Sequence, residues 1–297
     1  MRNPTADSIR LWVSATRPRT LTAAIAPVSI GTAIAYGEGA FDLASAVAAL
    51  GGALGIQISC NFANDLCDAR KGADTHERLG PTRAVSSGLI SQRAMLHATV
   101  IVLVLIVAPS VIFLVMRAGW PFWLLGALSV ACSILYTAGR WSIAYHGLGE
   151  LFAFAFFGPI AVAGTYAAQA GQWTALSGCA GIGCGCLAAA LIAVNNLRDE
   201  PTDRAARKRT LAVRWGVAWA RSEFLACIAA AALSVLALAA CTGRWWCLLA
   251  VLSIIALVPS ALRVRSGLCG RPLNEVLAST GRAILVYGVL VALGWNL

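Results

Sequence analysis

The sequence predicts an all-α polytopic membrane protein with about nine transmembrane helices, N-terminus cytoplasmic; three observations carry the class. Of 297 residues, 59% are hydrophobic and only 12% are charged. Soluble proteins carry about 25% charged residues, so the supply is too small to clothe a water-soluble surface. The apolar residues fall in continuous runs rather than in alternation, which excludes a barrel. The basic residues fall almost entirely in every second connection.

The apolar runs place helices at 21–37, 42–60, 94–116, 120–137, 149–168, 174–194, 223–241, 245–262 and 279–295. Each approaches the roughly 20 residues that cross a bilayer. Residues 1–20 form a polar lead in which Ile9, Trp12 and Val13 share a helical face, the pattern of a short interfacial helix. Eight more runs follow the first, so that run reads as a retained helix rather than a secretory signal. Residues 1–297 read as one transmembrane domain, with chemistry concentrated in 61–93 and 195–222. Gly51, Gly52 and Gly55 in run 2, and Gly181, Gly183 and Gly185 in run 6, allow close helix packing.

The net charge is +10, from 23 Lys and Arg against 13 Asp and Glu. Of the 23, only Arg117 and Arg244 lie outside the lead and the connections after runs 2, 4, 6 and 8, with the edge of run 9. By the positive-inside rule this puts the N-terminus in the cytoplasm of a bacterial-type inner membrane. It accounts for the charge without nucleic acid as a partner; the surrounding partner is membrane lipid. Trp120, Trp123, Trp173, Trp245, Trp246 and Trp295 stand near run ends, as an interfacial belt would. The ten cysteines contain no Cys-x-x-Cys and read as small hydrophobes. The three histidines are scattered.

Run 2 continues into Asn61-Phe-Ala-Asn64-Asp65, and run 6 into Asn195-Asn196-Leu-Arg198-Asp199. Both are Asn-x-x-x-Asp, 134 residues apart, which suggests two related four-helix halves with a ninth helix added. Asp65 and Asp68 are spaced i, i+3, and Asp199 and Asp203 i, i+4, so each pair shares a helix face. Four carboxylates at one mouth repel, and Mg²⁺ relieves that, sharing its remaining positions with substrate phosphates. Arg70, Lys71, Arg78, Arg83, Arg198, Lys208 and Arg209 surround the acids and suit a diphosphate. The basic residues of the lead and of the connection after run 8 read mainly as orientation. A Mg²⁺–pyrophosphate site over an apolar cavity points to an isoprenyl diphosphate, whose leaving group is neutralised as its C–O bond ionises in a dry site. A transporter would place ionisable groups near the midplane; these acids stand at the edge. A CDP-alcohol phosphotransferase would carry its aspartates in one contiguous run.

Asn64-Asp65-Leu-Cys-Asp68 and Asp199-Glu-Pro-Thr-Asp203 resemble the two Asp-rich motifs of the UbiA superfamily of intramembrane prenyltransferases. The stretch from Asn61 to Gly88, Arg17-Pro-Arg-Thr-Leu21, Tyr145-His-Gly-Leu-Gly-Glu150 and Asn195 through Leu211 are similar to the branch that prenylates 1,4-dihydroxy-2-naphthoate in menaquinone synthesis. The resemblance runs from about residue 17 to about 220. It implies nine helices and Mg-dependent transfer of a polyprenyl group from a polyprenyl diphosphate to an aromatic acid, with loss of CO₂, giving demethylmenaquinol. Other acceptors within the superfamily, such as 4-hydroxybenzoate or homogentisate, stay open. Carried over by position, Asp65, Asp68, Asp199 and Asp203 hold Mg²⁺ and are catalytic. Asn64, Lys71, Arg78, Arg83, Asn196, Arg198 and Lys208 face the diphosphate. Arg17, Asn61, Tyr145 and Glu150 face the aromatic acid, Arg17 matching its carboxylate. Asp74 is either a further ligand, a partner of Lys71 or a plain loop acid. Tyr136 and Tyr145 are candidate donors to phosphate or substrate, and the aromatic residues Phe152, Phe154, Phe156, Phe157 and Tyr166 either face a cation or pack.

Overall fold

The structure, a computed structural model, describes residues 4–71, 79–80, 83–139 and 142–297, with only the backbone at 4–7. Asp74 and Arg78 lie outside the described residues. The described residues are mostly helical: α1 (Pro4–Ala15), α2 (Pro18–Gly37), α3 (Leu43–Lys71), α4 (Gln92–Ala118), α5 (Pro121–Leu135), α6 (Gly149–Ala170), α7 (Ala175–Ala205), α8 (Leu211–Trp215), α9 (Val217–Thr242), α10 (Trp245–Ile255 and Val258–Arg265) and α11 (Leu273–Trp295). No strand occurs among the described residues.

Every apolar run is helical, but the count of full crossings differs from nine. Among the described residues seven helices are long and apolar enough to span, and α10, bent by 45°, makes an eighth. The remaining run, α5, has 15 helical residues; at 1.5 Å per residue it reaches about 22 Å, short of the roughly 30 Å hydrocarbon core. Two helices outrun their apolar runs furthest at the charged end. α3 continues to Lys71 and α7 to Ala205, because backbone hydrogen bonding does not stop where charged side chains begin. The α7 helix also passes through Pro201 without ending.

Breaks occur where proline removes a donor. A π turn, Leu103–Val107, precedes Pro109 in α4. The α6 helix is interrupted at 157–158 before Pro159, and α10 bends before Pro259. Helix starts carry side-chain caps where the sequence supplies them: Ser91, Thr174 and Thr210 accept from the amides of Ala94, Ser177 and Val213.

The main core joins α2, α6, α7, α9, α10 and α11 through residues such as Ile30, Ile34, Leu187, Val194, Phe224, Ile284 and Tyr287. A second core joins α1, α3, α4 and the turn at 84–90, with Trp12 edge-on to Phe62 at 5.9 Å. The break in α6 lets its backbone touch α7. A Cβ added to Gly181 would lie 2.6 Å from the Gly158 backbone, so the glycines are required by space, as their clustering implied. Trp120, Trp123, Trp173, Trp245 and Trp246 are exposed, as a belt requires. Trp295 departs from that reading: it is 2% exposed and packs under the Arg244 guanidinium at 4.9 Å. All ten cysteines are free.

Candidate active site

The last turns of α3 and α7 end on the same side of the bundle, beside the α1–α2 corner, the turn at 83–88 and the start of α11. Together they surround the mouth of a cavity of about 1590 Å³. Polar residues gather at the mouth: Arg17, Asn61, Asn64, Asp65, Asp68, Arg83, Asn195, Asn196, Arg198 and Lys208. Deeper, Ala24, Val28, Ile56, Leu114, Leu125, Phe152, Phe156, Phe157 and Ile160 make an apolar wall. Phe152 and Phe156 stack, with centroids 6.0 Å apart. Phe154 packs on the main core instead, and Tyr166 donates a hydrogen bond to Glu38 at 2.5 Å.

Asp68, Asp199 and Asp203 are ion-paired to basic residues read as diphosphate ligands. Asp68 meets Arg83 at 2.9 Å, Asp199 meets Arg198 at 2.6 Å, and Asp203 meets Lys208 at 3.3 Å. The Arg198 grip on Asp199 is two-pronged, through Nε at 2.7 Å and Nη2 at 2.6 Å. Asp65 is held through backbone amides. Its carboxylate accepts the backbone amides of Ala84 at 3.0 Å and Val85 at 3.3 Å, tying the turn that carries Arg83 to α3. Hard carboxylate and amide oxygens crowd the mouth, and the buried Oδ2 of Asp203 receives no hydrogen bond. That donor set fits a hard divalent cation. Among the described residues no three acid, His or Cys side chains form a ready-made cage; the ion pairs hold the acids individually.

Asn64 accepts a hydrogen bond from the Thr137 hydroxyl, linking α3 to the segment after α5. Asn196 donates to Glu150 Oε1 at 2.6 Å, while Glu150 Oε2 is buried without a partner. Glu150, Lys71 and Tyr145 do not line the cavity, and neither do Asp199 and Asp203, whose paired bases Arg198 and Lys208 do. The Lys71 ammonium donates to the carbonyls of Thr137 at 2.6 Å and Gly139 at 3.3 Å and sits 4.0 Å over the Tyr145 ring. It acts as a clamp between two segments of the mouth. Tyr136, by contrast, does line the cavity.

Arg17 stands at the corner between α1 and α2 in the left-handed region, φ 53°. A non-glycine residue costs of order 1–3 kcal/mol there and persists where its surroundings over-determine it. Here the Asn61 amide donates to the Thr16 carbonyl at 2.9 Å and to the Thr20 hydroxyl at 3.0 Å, bracketing Arg17. Thr20 in turn donates to the Arg17 carbonyl at 2.9 Å, and Gln57 supports Thr20 at 3.3 Å. Arg17 is thereby placed in the cavity wall. The connection before α11, read as orientation charge, also reaches the mouth through Arg271, and the first turn of α11 does so through Asn274. The sequence carried no motif to single them out.

A family model described as the UbiA prenyltransferase family matches residues 24–267. The chain belongs to the UbiA prenyltransferase family. It is therefore an enzyme, a prenyltransferase. The prenyltransferase is 39% identical over 287 residues to a Mycobacterium tuberculosis protein named 1,4-dihydroxy-2-naphthoate octaprenyltransferase, covering 96% of each chain. It is 35% identical over 290 residues to the protein of that name from Escherichia coli, covering 95% and 94%. Its fold matches a UbiA homolog from Aeropyrum pernix K1 with a TM-score of 0.66 at 17% identity, over 91% of this chain and 96% of that one. It also matches a UbiA homolog from Archaeoglobus fulgidus bound to GPP and Mg²⁺, with a TM-score of 0.61 at 15% identity, over 93% and 99%.

Proposed function

We propose that the prenyltransferase moves a polyprenyl group from a polyprenyl diphosphate to 1,4-dihydroxy-2-naphthoate, releasing pyrophosphate and CO₂ and giving demethylmenaquinol. The observation that carries this reading is the row of acid–base pairs over an apolar cavity. Asp68–Arg83, Asp199–Arg198 and Asp203–Lys208 present cations to a diphosphate and carboxylates to its metal. The names of the relatives support the naphthoate acceptor.

Asp68, Asp199 and Asp203 would hold Mg²⁺, with Asp65 anchoring the turn that presents Arg83. When bound, the ion supplies neutralisation of the leaving diphosphate. Arg83, Arg198 and Lys208 bind its oxygens and favour departure of the electron pair with pyrophosphate. The apolar wall keeps water from the allylic carbon. The prenyl C1–O bond breaks, a bond forms to the aromatic carbon bearing the carboxylate, and loss of CO₂ returns electrons to the ring. The charge distribution supports a multi-pass protein of the inner membrane with this mouth in the cytoplasm.

Membranes containing the protein, Mg²⁺ and a polyprenyl diphosphate should convert dihydroxynaphthoate to a product whose mass is that of the prenylated, decarboxylated quinol. Prenylation of 4-hydroxybenzoate alone would overturn the acceptor assignment. Arg17→Ala should raise KM for the aromatic acid about 10- to 100-fold, the worth of a charge-assisted bond of about 1.5–3 kcal/mol. KM for the prenyl diphosphate should stay within about twofold, and steady-state kinetics with each substrate varied in turn would check both.

A further inference from the structure

Asn274 stands on the first turn of α11, half-buried at the mouth. Its amide makes two contacts of opposite polarity. Nδ2 donates to the Leu79 carbonyl at 2.9 Å, on the segment that leads into Arg83. Oδ1 accepts from Arg198 Nη1 at 2.8 Å. Arg198 is 4% exposed and also donates from Nη2 to Asn195 Oδ1 at 2.9 Å. One neutral side chain from the last helix thus joins the guanidinium beside the second Asp motif to the segment carrying the cation beside the first. The partners are 76 and 195 residues away in the chain.

We propose that Asn274 is a positioning residue for diphosphate capture: it holds Arg198 and Leu79 in register while leaving the positive charge of Arg198 available to the phosphates. The inference rests on the proposed role of Arg198 and Arg83 toward the diphosphate. Neutrality is the point of the residue. Arg198 already has one carboxylate, Asp199, from which a phosphate must draw it. An amide oxygen orients the guanidinium without competing strongly for its charge. A carboxylate at 274 would keep the acceptor, add a second anion on Arg198, and lose the donor to Leu79.

The test uses the full chain in lipid nanodiscs with three variants, Asn274→Asp, Asn274→Ala and Asn274→Ser. The near-isosteric Asn274→Asp should raise KM for the polyprenyl diphosphate at least tenfold. Asn274→Ala and Asn274→Ser should raise it three- to fivefold. In all three, kcat should stay within threefold and KM for the aromatic acid should not move. Binding of inorganic pyrophosphate in the presence of Mg²⁺, measured by calorimetry, should weaken in the same order and needs no turnover. A purely structural residue would give the reverse order, with Asn274→Asp the mildest because it preserves shape and acceptor. That order, or pyrophosphate affinity equal in all four proteins, overturns the proposal. So does a loss of kcat and both KM values in step with melting temperature. Wild-type protein that binds pyrophosphate but prenylates no aromatic acid refutes the proposed reaction while the pyrophosphate series still decides the role of Asn274.

Discussion

Asp68→Asn is expected to lower kcat/KM for prenyl transfer by about 100- to 1000-fold, the scale of removing one group that stabilises developing charge. The substitution keeps the side chain's shape and one acceptor for Arg83, which now holds Asp68 at 2.9 Å. It removes a formal charge that a metal needs and leaves the turn at 83–88 tied down by Asp65. Melting temperature in nanodiscs should therefore change little. Asp65→Asn should behave in the opposite way. Both oxygens of Asp65 accept backbone amides, so the new amide must point a donor at a donor. A buried group left unsatisfied costs about 1–3 kcal/mol. That loss should appear as a lower melting temperature, with Arg83 less well placed as its consequence. Measuring activity and thermal stability of both variants side by side checks the division of labour. An Asp65→Asn protein of normal stability and no activity would return Asp65 to the metal.

Gly181→Ala is expected to damage the packing of the bundle beside the site severely. The Cβ would meet Gly158 carbon and oxygen at 2.6 Å and Pro159 nitrogen at 2.8 Å. These are backbone atoms, with no rotamer to swing aside. Overpacking of a well-filled interior costs about 1–3 kcal/mol where side chains can adjust, and this contact should exceed that range. The two helices forced apart are those carrying the apolar wall of Phe156 and Phe157 and the Asp199–Asp203 motif. Reduced yield of monodisperse protein, a melting temperature lower by several degrees and loss of activity in the residual folded fraction should appear together. A Gly178→Ala control, where a Cβ meets nothing within 4 Å, should behave as wild type.

The helical class was legible because the physics behind it is compositional. Lipid demands long apolar segments, and these announce themselves residue by residue. The paired Asn-x-x-x-Asp motifs were legible because helical spacing alone puts Asp65 with Asp68 and Asp199 with Asp203 on shared faces. What each acid touches was not legible. Nothing in the spacing separates Asp65, which binds amides of Ala84 and Val85, from Asp68, which binds Arg83. That difference arises from how a turn some 20 residues later folds back. The contacts of Lys71 were hidden for a related reason: nothing beside the Asp motif foretells that the segment at 137–139 offers it carbonyls. Asn274 and Arg271 carried no local signal, since their place at the mouth follows from α11 packing against α2 and α7. Hydropathy likewise misjudged helix ends, as α3 and α7 show, because it measures affinity for lipid and not the reach of a hydrogen-bond ladder.

The first helix shows what the cavity owes to its surroundings. Leu11, Ser14 and Ala15 on α1 form part of the cavity wall, and Trp12 at the flank of the helix packs on Phe62. Ile9 and Val13, on the face away from the cavity, are exposed and apolar, as an interfacial helix requires. One side of the cavity is thus a panel held to the protein on its inner face and apolar on its outer face. Under the proposed reaction, the seal around the reacting prenyl carbon would belong jointly to the polypeptide and to a membrane that hosts it. Detergents that strip lipid from this corner, or bulky fusions attached ahead of it, act directly on that seal.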